Sequence, residues 1–138
     1  MEYNGIFREN DELYRGIAKA MGLPDGAFWL LYILREKGEA VTQSEICSTI
    51  YMPKQTVNSA LKKLACGGYL VLNEEKNRRS KQIRLTEQGV RLAEATVDKV
   101  FAAEERALAG LTEEETERFL YLFRRYTELL KESLRELS

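Results

Sequence analysis

At 138 residues the chain has room for one domain with a real core, and not for two independent ones. Hydrophobic residues at 44% and charged residues at 31% fit a globular protein with helical surfaces, and no apolar run approaches the ~18–20 residues of a membrane span, so no membrane partner is expected. Histidine is absent, which removes His-based acid–base work, Ser–His and Cys–His nucleophiles and His metal ligands, so neither an enzyme nor a cofactor is expected.

Met1-Glu2-Tyr3-Asn4 lacks the basic-then-apolar layout of a signal peptide. Cys47 and Cys66 are too few for a disulfide framework, and a reducing cytoplasm is the expected compartment. No repeat or Pro/Ser-rich linker divides the chain, which reads as one unit over residues 1–138.

In chain order, Ile6, Phe7, Leu13, Tyr14, Ile17, Ala18 and Met21 share one face of a first helix, which Gly22-Leu23-Pro24-Asp25-Gly26 breaks. A second helix, Phe28-Trp29-Leu30-Leu31-Tyr32-Ile33-Leu34, is apolar nearly all round and belongs at the centre of the core; it ends near Gly38. Thr42-Gln43-Ser44-Glu45 is a capping box that opens a short third helix running to about Ile50. Pro53 suits the first turn of a fourth helix, where a missing N–H costs nothing, and Cys66-Gly67-Gly68 closes it with the residue that tolerates a left-handed cap.

The fourth helix has two distinct stripes. Val57, Ala60, Leu61, Leu64 and Ala65 face inward; Gln55, Asn58, Ser59 and Lys62 form a second face rich in amides and a hydroxyl. Such groups both donate to and accept from base edges in a major groove, and two short helices joined by a tight turn have the helix-turn-helix layout. Taken alone, the stripe also fits an ordinary solvated face. The segment after the helix favours DNA. Tyr69-Leu70-Val71-Leu72 and Gln82-Ile83-Arg84-Leu85 are β-like segments around the basic loop 73–81, a hairpin placed as a wing. Arg78, Arg79 and Lys81 at its tip suit a minor groove. With Lys54 and Thr56 at the helix start, these residues make up the candidate DNA-facing set.

The net charge of −1 conceals an asymmetry. Met52 to Arg91 holds nine Lys/Arg against three acids, a net of +6, so the flanks carry −7. A basic middle between acidic ends suits a DNA-facing module on a scaffold that does not bind DNA, since phosphate contacts need local charge; a fluctuation of solvated charge would look the same.

The run Thr56-Val57-Asn58, Leu61-Lys62-Lys63-Leu64, Gly68-Tyr69-Leu70, then Asn77-Arg78-Arg79-Ser80-Lys81 and Leu85-Thr86-Glu87-Gln88-Gly89 resembles the MarR family. The likeness is specific over about residues 40–95 and generic elsewhere. It implies a mainly α (α+β) winged-helix dimer that regulates genes, often released by a small phenolic or aromatic-acid ligand. By position, Arg79 matches the family's wing arginine and Gly89 the glycine of the following helix. Asn77 stands where the family has a wing aspartate, so the salt bridge that braces the wing is missing.

Thr86 caps a long fifth helix carrying Val90, Ala93, Val97, Val100, Phe101 and Leu108, ended by Ala109-Gly110. Thr112-Glu113-Glu114-Glu115 is a second capping box; it opens a sixth helix with a wide apolar stripe from Phe119 to Leu137. The expected layout is a DNA-binding lobe over about 26–90 and dimerisation helices over about 3–22 and 90–137. A homodimer supplies the two-fold symmetry of a pseudo-palindromic double-stranded operator. Tyr14, Arg15, Trp29 and Tyr32 are a candidate cradle for a small aromatic ligand, with core packing of the rings as the plainer reading. Two other classes stay open: a winged helix that binds protein, and a thiol-based redox regulator using Cys47 or Cys66, the latter beside Lys62 and Lys63.

Overall fold

The computed structural model describes residues 1–73 and 82–138. Nineteen residues form α1 (Glu2–Ala20), which ends where Gly22 turns left-handed at φ 73° and the Leu23 N–H donates to the Ala18 carbonyl at 2.9 Å. Pro24 then precedes α2 (Asp25–Lys37), and Gly38, at φ 70°, closes it. The apolar-all-round composition of α2 is matched by its burial: Ala27, Phe28, Leu30, Leu31, Ile33 and Leu34 are all buried. Each fully buried Phe or Leu contributes about 1.5–3 kcal/mol, so this helix anchors the core.

Next come β1 (Val41–Thr42), α3 (Gln43–Ile50) and α4 (Lys54–Cys66), then β2 (Leu70–Asn73) and β3 (Gln82–Leu85). The three strands form an antiparallel sheet in the order β1-β3-β2, with Val41 opposite Ile83 and Leu72 also opposite Ile83. Ile83 is fully buried in the central strand, and with Val41 and Leu70 it joins Ile46, Val57, Leu61 and Leu64 in the core against α2. The two strands of the hairpin are as expected, and β1 is an addition to them.

The expected fifth helix is two helices, α5 (Glu87–Ala95) and α6 (Val97–Ala109). The break falls at Thr96, which is buried with φ −126° and ψ −87°, and whose hydroxyl donates to the Leu92 carbonyl at 2.7 Å. A threonine bonded back to residue i−4 gives the backbone an alternative to the helix ladder. Just beyond it, Asp98 takes both hydrogen bonds of the Arg35 guanidinium at 3.0 Å; that hydrogen bond raises the Arg35 pKa above its usual value.

Finally α7 (Glu113–Arg135) starts at the capping box Thr112/Glu115, and none of its residues is buried. The chain divides into two compact units, Met1–Lys99 and Val100–Ser138. Thus α1 belongs with the first unit, where Tyr14 packs on Phe28 and Trp29 with ring centroids 6.4 and 5.1 Å away. Among the described residues no single helix is long and apolar enough to cross a membrane.

Gly89 shows how tightly the lobe is built. A Cβ placed there would lie 1.9 Å from the Tyr69 carbonyl oxygen, a backbone atom that cannot swing away. We expect Gly89→Ala to destabilise the fold by about 2–3 kcal/mol or more, measured by urea unfolding; a variant as stable as the parent would show that this backbone approach is not required.

Candidate nucleic-acid interface

The lobe holds its two short helices by local rules. The Thr42 hydroxyl accepts from the Glu45 N–H at 3.1 Å, and the Thr42 N–H donates to the Glu45 carboxylate at 3.3 Å, completing the capping box that starts α3. The helix stops at Tyr51, in the left-handed region at φ 53° and ψ 36°. Pro53 is the N-cap of α4, whose first turn has neither an acid nor a side-chain cap. Its free N–H groups therefore leave a positive helix end.

The inward stripe of α4 is buried at Val57, Ala60, Leu61 and Leu64, with Ala65 half-buried. α2 crosses it closely at Gly26, where a Cβ would sit 3.4 Å from that of Ala60. On the other side Lys54, Gln55, Thr56, Ser59 and Lys62 are all exposed. Asn58 differs. It is half-buried, and its side-chain carbonyl accepts a hydrogen bond from the Gln43 amide of α3. The exposed groups thus stay open to a partner molecule, while Asn58 helps fasten the two helices together. Its geometry was not legible in the sequence, because the partner lies 15 residues upstream on another helix.

The hairpin comes directly after α4. Gly68, at φ 81°, leads from the helix into β2, and Arg84 is exposed on β3 beside the buried Ile83. Arg84 is a cation of the basic middle that helix and loop patterns leave without a role; the alternation of Ile83 in and Arg84 out is the signal for it. Asn77, Arg78, Arg79 and Lys81 lie outside the described residues.

The four candidate ligand residues separate. Trp29 and Tyr32, with ring centroids 5.2 Å apart, line a recess of about 430 Å³ with Ile33, Ile50 and Met52. Tyr14 packs behind Trp29, whereas Arg15 is exposed and ion-paired with Asp11 and with Glu12, the latter at 3.3 Å. Both cysteines are free thiols, Cys47 half-buried and Cys66 exposed.

A two-helix turn whose second helix shows an outward polar stripe, succeeded at once by a hairpin, defines a winged helix-turn-helix DNA-binding protein. The MarR family profile matches residues 21–80. Over 105 residues the chain is 31% identical to the HTH-type transcriptional regulator YwoH of Bacillus subtilis (strain 168), covering 76% of each chain. Among solved structures it is similar to NMB1585, a MarR family regulator from Neisseria meningitidis, with a TM-score of 0.80 at 24% identity over 100% of this chain and 99% of that one. It is also similar to a MarR family regulator from Listeria monocytogenes complexed with 26mer DNA, with a TM-score of 0.75 at 22% identity over 96% and 88% of the two chains. The chain belongs to the MarR family and is a DNA-binding transcription regulator of that type.

The Gln43–Asn58 link has a measurable consequence. We expect Asn58→Ala and Gln43→Ala each to lower stability by about 1 kcal/mol, with the double variant losing less than the sum. A double-mutant cycle on thermal unfolding reads the coupling; strict additivity would mean that the two amides do not meet.

Proposed function

We propose that the protein binds a pseudo-palindromic double-stranded operator as a cytoplasmic homodimer and represses the adjacent gene until a small ligand releases it. The observation that carries this reading is the exposed polar stripe of α4, Lys54, Gln55, Thr56, Ser59 and Lys62, at an uncapped positive helix end. Gln55 and Ser59 read bases, assisted by the free amide of Asn58; Lys54, Lys62, Arg78, Arg79 and Lys81 hold phosphates or the minor groove.

Dimerisation is supported in each compact unit separately. In α7, Phe119, Leu122, Leu129 and Leu134 are all about half exposed. In α1, Ile6, Phe7 and Leu13 are more than half exposed. Contiguous apolar surface of this kind marks an interface, and a second copy of the chain is the occupant that also creates two half-sites.

Selection from a random duplex pool tests the whole reading. We expect an inverted-repeat site, bound by a species that sediments as a dimer at micromolar concentration. Gln55→Ala then costs about 1–3 kcal/mol on the selected site and little on random DNA. Arg79→Ala flattens the salt dependence by about one charge. A stable monomer that bound the full site tightly would sink the dimer, and equal losses on both DNAs would reduce the stripe to backbone contacts.

The recess supports an effector site, with a chemistry that narrows its ligand. Asp11, Asp25 and Glu36 rim the aromatic corner of Trp29 and Tyr32, and Arg15 is already held by acids. An uncharged phenol or an aromatic cation fits this rim; a carboxylate is repelled by it. Thr49 and Ile50, which end α3, and Met52, in the turn entering α4, line the recess, so occupancy acts on the placement of α4. Trp29 is the chain's single tryptophan, which makes its fluorescence the readout. We expect benzyltrimethylammonium and phenol to quench it at lower concentration than benzoate, with operator affinity falling in parallel. Tightest binding of benzoate would refute this assignment.

A further inference from the structure

Four backbone positions among the described residues have positive φ, and three of them are glycines: Gly22, Gly38 and Gly68. The fourth is Tyr51. A side chain in the left-handed region crowds its own backbone, which is why glycine or asparagine normally occupies such a corner. Tyr51 sits there at the tip of the turn joining α3 to α4.

The ring does not compensate within the chain. It is 85% exposed, and among the described residues no hydrogen bond, ring contact or ion pair involves its side chain. The fold uses only its backbone, whose N–H donates to the Cys47 carbonyl at 3.1 Å. Glycine would do that equally well and with less strain.

Its surroundings indicate a use. Tyr51 lies three residues before Lys54 and four before Gln55, in the exposed connection that leads into the uncapped first turn of α4. Together with Lys54 this corner presents a hydroxyl donor, an aromatic face, an ammonium and free backbone donors, with no acid in the first turn of α4. That set suits a sugar-phosphate backbone.

We propose that Tyr51 is a DNA-positioning residue whose hydroxyl donates to a phosphate oxygen flanking the groove read by α4, while its ring packs on the adjoining deoxyribose. The proposal rests on the operator-binding reading above. Since the contact is neutral and touches no base edge, it adds affinity equally on specific and random duplexes and displaces no counterion of its own.

The test uses the full chain with Tyr51→Gly, Tyr51→Asn and Tyr51→Phe, measured for melting temperature and for affinity on the selected operator and on random duplex over a salt series. The Gly and Asn variants are expected to melt a few degrees higher than wild type, yet to bind both DNAs about ten-fold more weakly, with an unchanged salt slope. The Phe variant keeps the parent's melting temperature and loses about five-fold. Wild-type binding is the arm on which the operator reading stands. With that arm intact, unchanged affinity in the Gly and Asn variants overturns the Tyr51 contact alone. Full binding by Phe overturns the phosphate bond, and recovery by Asn but not Gly would reduce Tyr51 to stiffening the turn.

Discussion

The DNA-binding lobe depends on one close backbone crossing at the foot of the wing. The Tyr69 carbonyl, at the end of the α4–β2 connection, accepts from the Thr86 N–H at 3.1 Å. The Thr86 hydroxyl donates to the Gly68 carbonyl at 2.6 Å while it accepts from the Gly89 N–H at 3.0 Å. The Gln88 amide adds a bond to the Gly67 carbonyl at 3.3 Å. These contacts tie the end of α4, the bases of both hairpin strands and the start of α5 together. Gly89 is the residue that lets the chains approach so closely, because any Cβ there would collide with the Tyr69 carbonyl. The candidate interface is therefore carried on backbone groups braced by the Thr86 hydroxyl and the Gln88 amide.

Much of this was written locally. Both capping boxes, at Thr42/Glu45 and Thr112/Glu115, formed as their spacing requires, since a cap involves residues three apart. The burial of α2 followed from composition alone. Legibility ended where partners are distant or signals short. β1 is two residues long, too short for any alternation, and exists because Val41 and Thr42 find β3 far along the chain. The break at Thr96 has no proline or glycine to announce it, and the apolar spacing runs through it unbroken; only the buried hydroxyl bonded to Leu92 reveals it.

The candidate site divides along the same line. The helical period correctly put Gln55, Ser59 and Lys62 on the open face of α4, and it put Asn58 beside them. Periodicity assigns a direction but does not see what a neighbouring helix places there, and Gln43 claims the Asn58 carbonyl. The recess shows the converse. Trp29 and Tyr32 were legible as an aromatic pair, but their acidic rim is assembled from α1 and both ends of α2, and no local pattern links Asp11 to Asp25 and Glu36.

The bare surface of α7 has a consequence for how the chain exists at low copy number. A helix of 23 residues with none buried has no core of its own to hold it, and isolated helices are only marginally stable in water. On the dimer reading its order is supplied by mass action: helical content falls on dilution, and the midpoint of unfolding drifts with protein concentration. Abundance then sets how much of the population carries a complete pair of reading heads, so such a regulator responds to its own expression level as well as to any molecule that it binds.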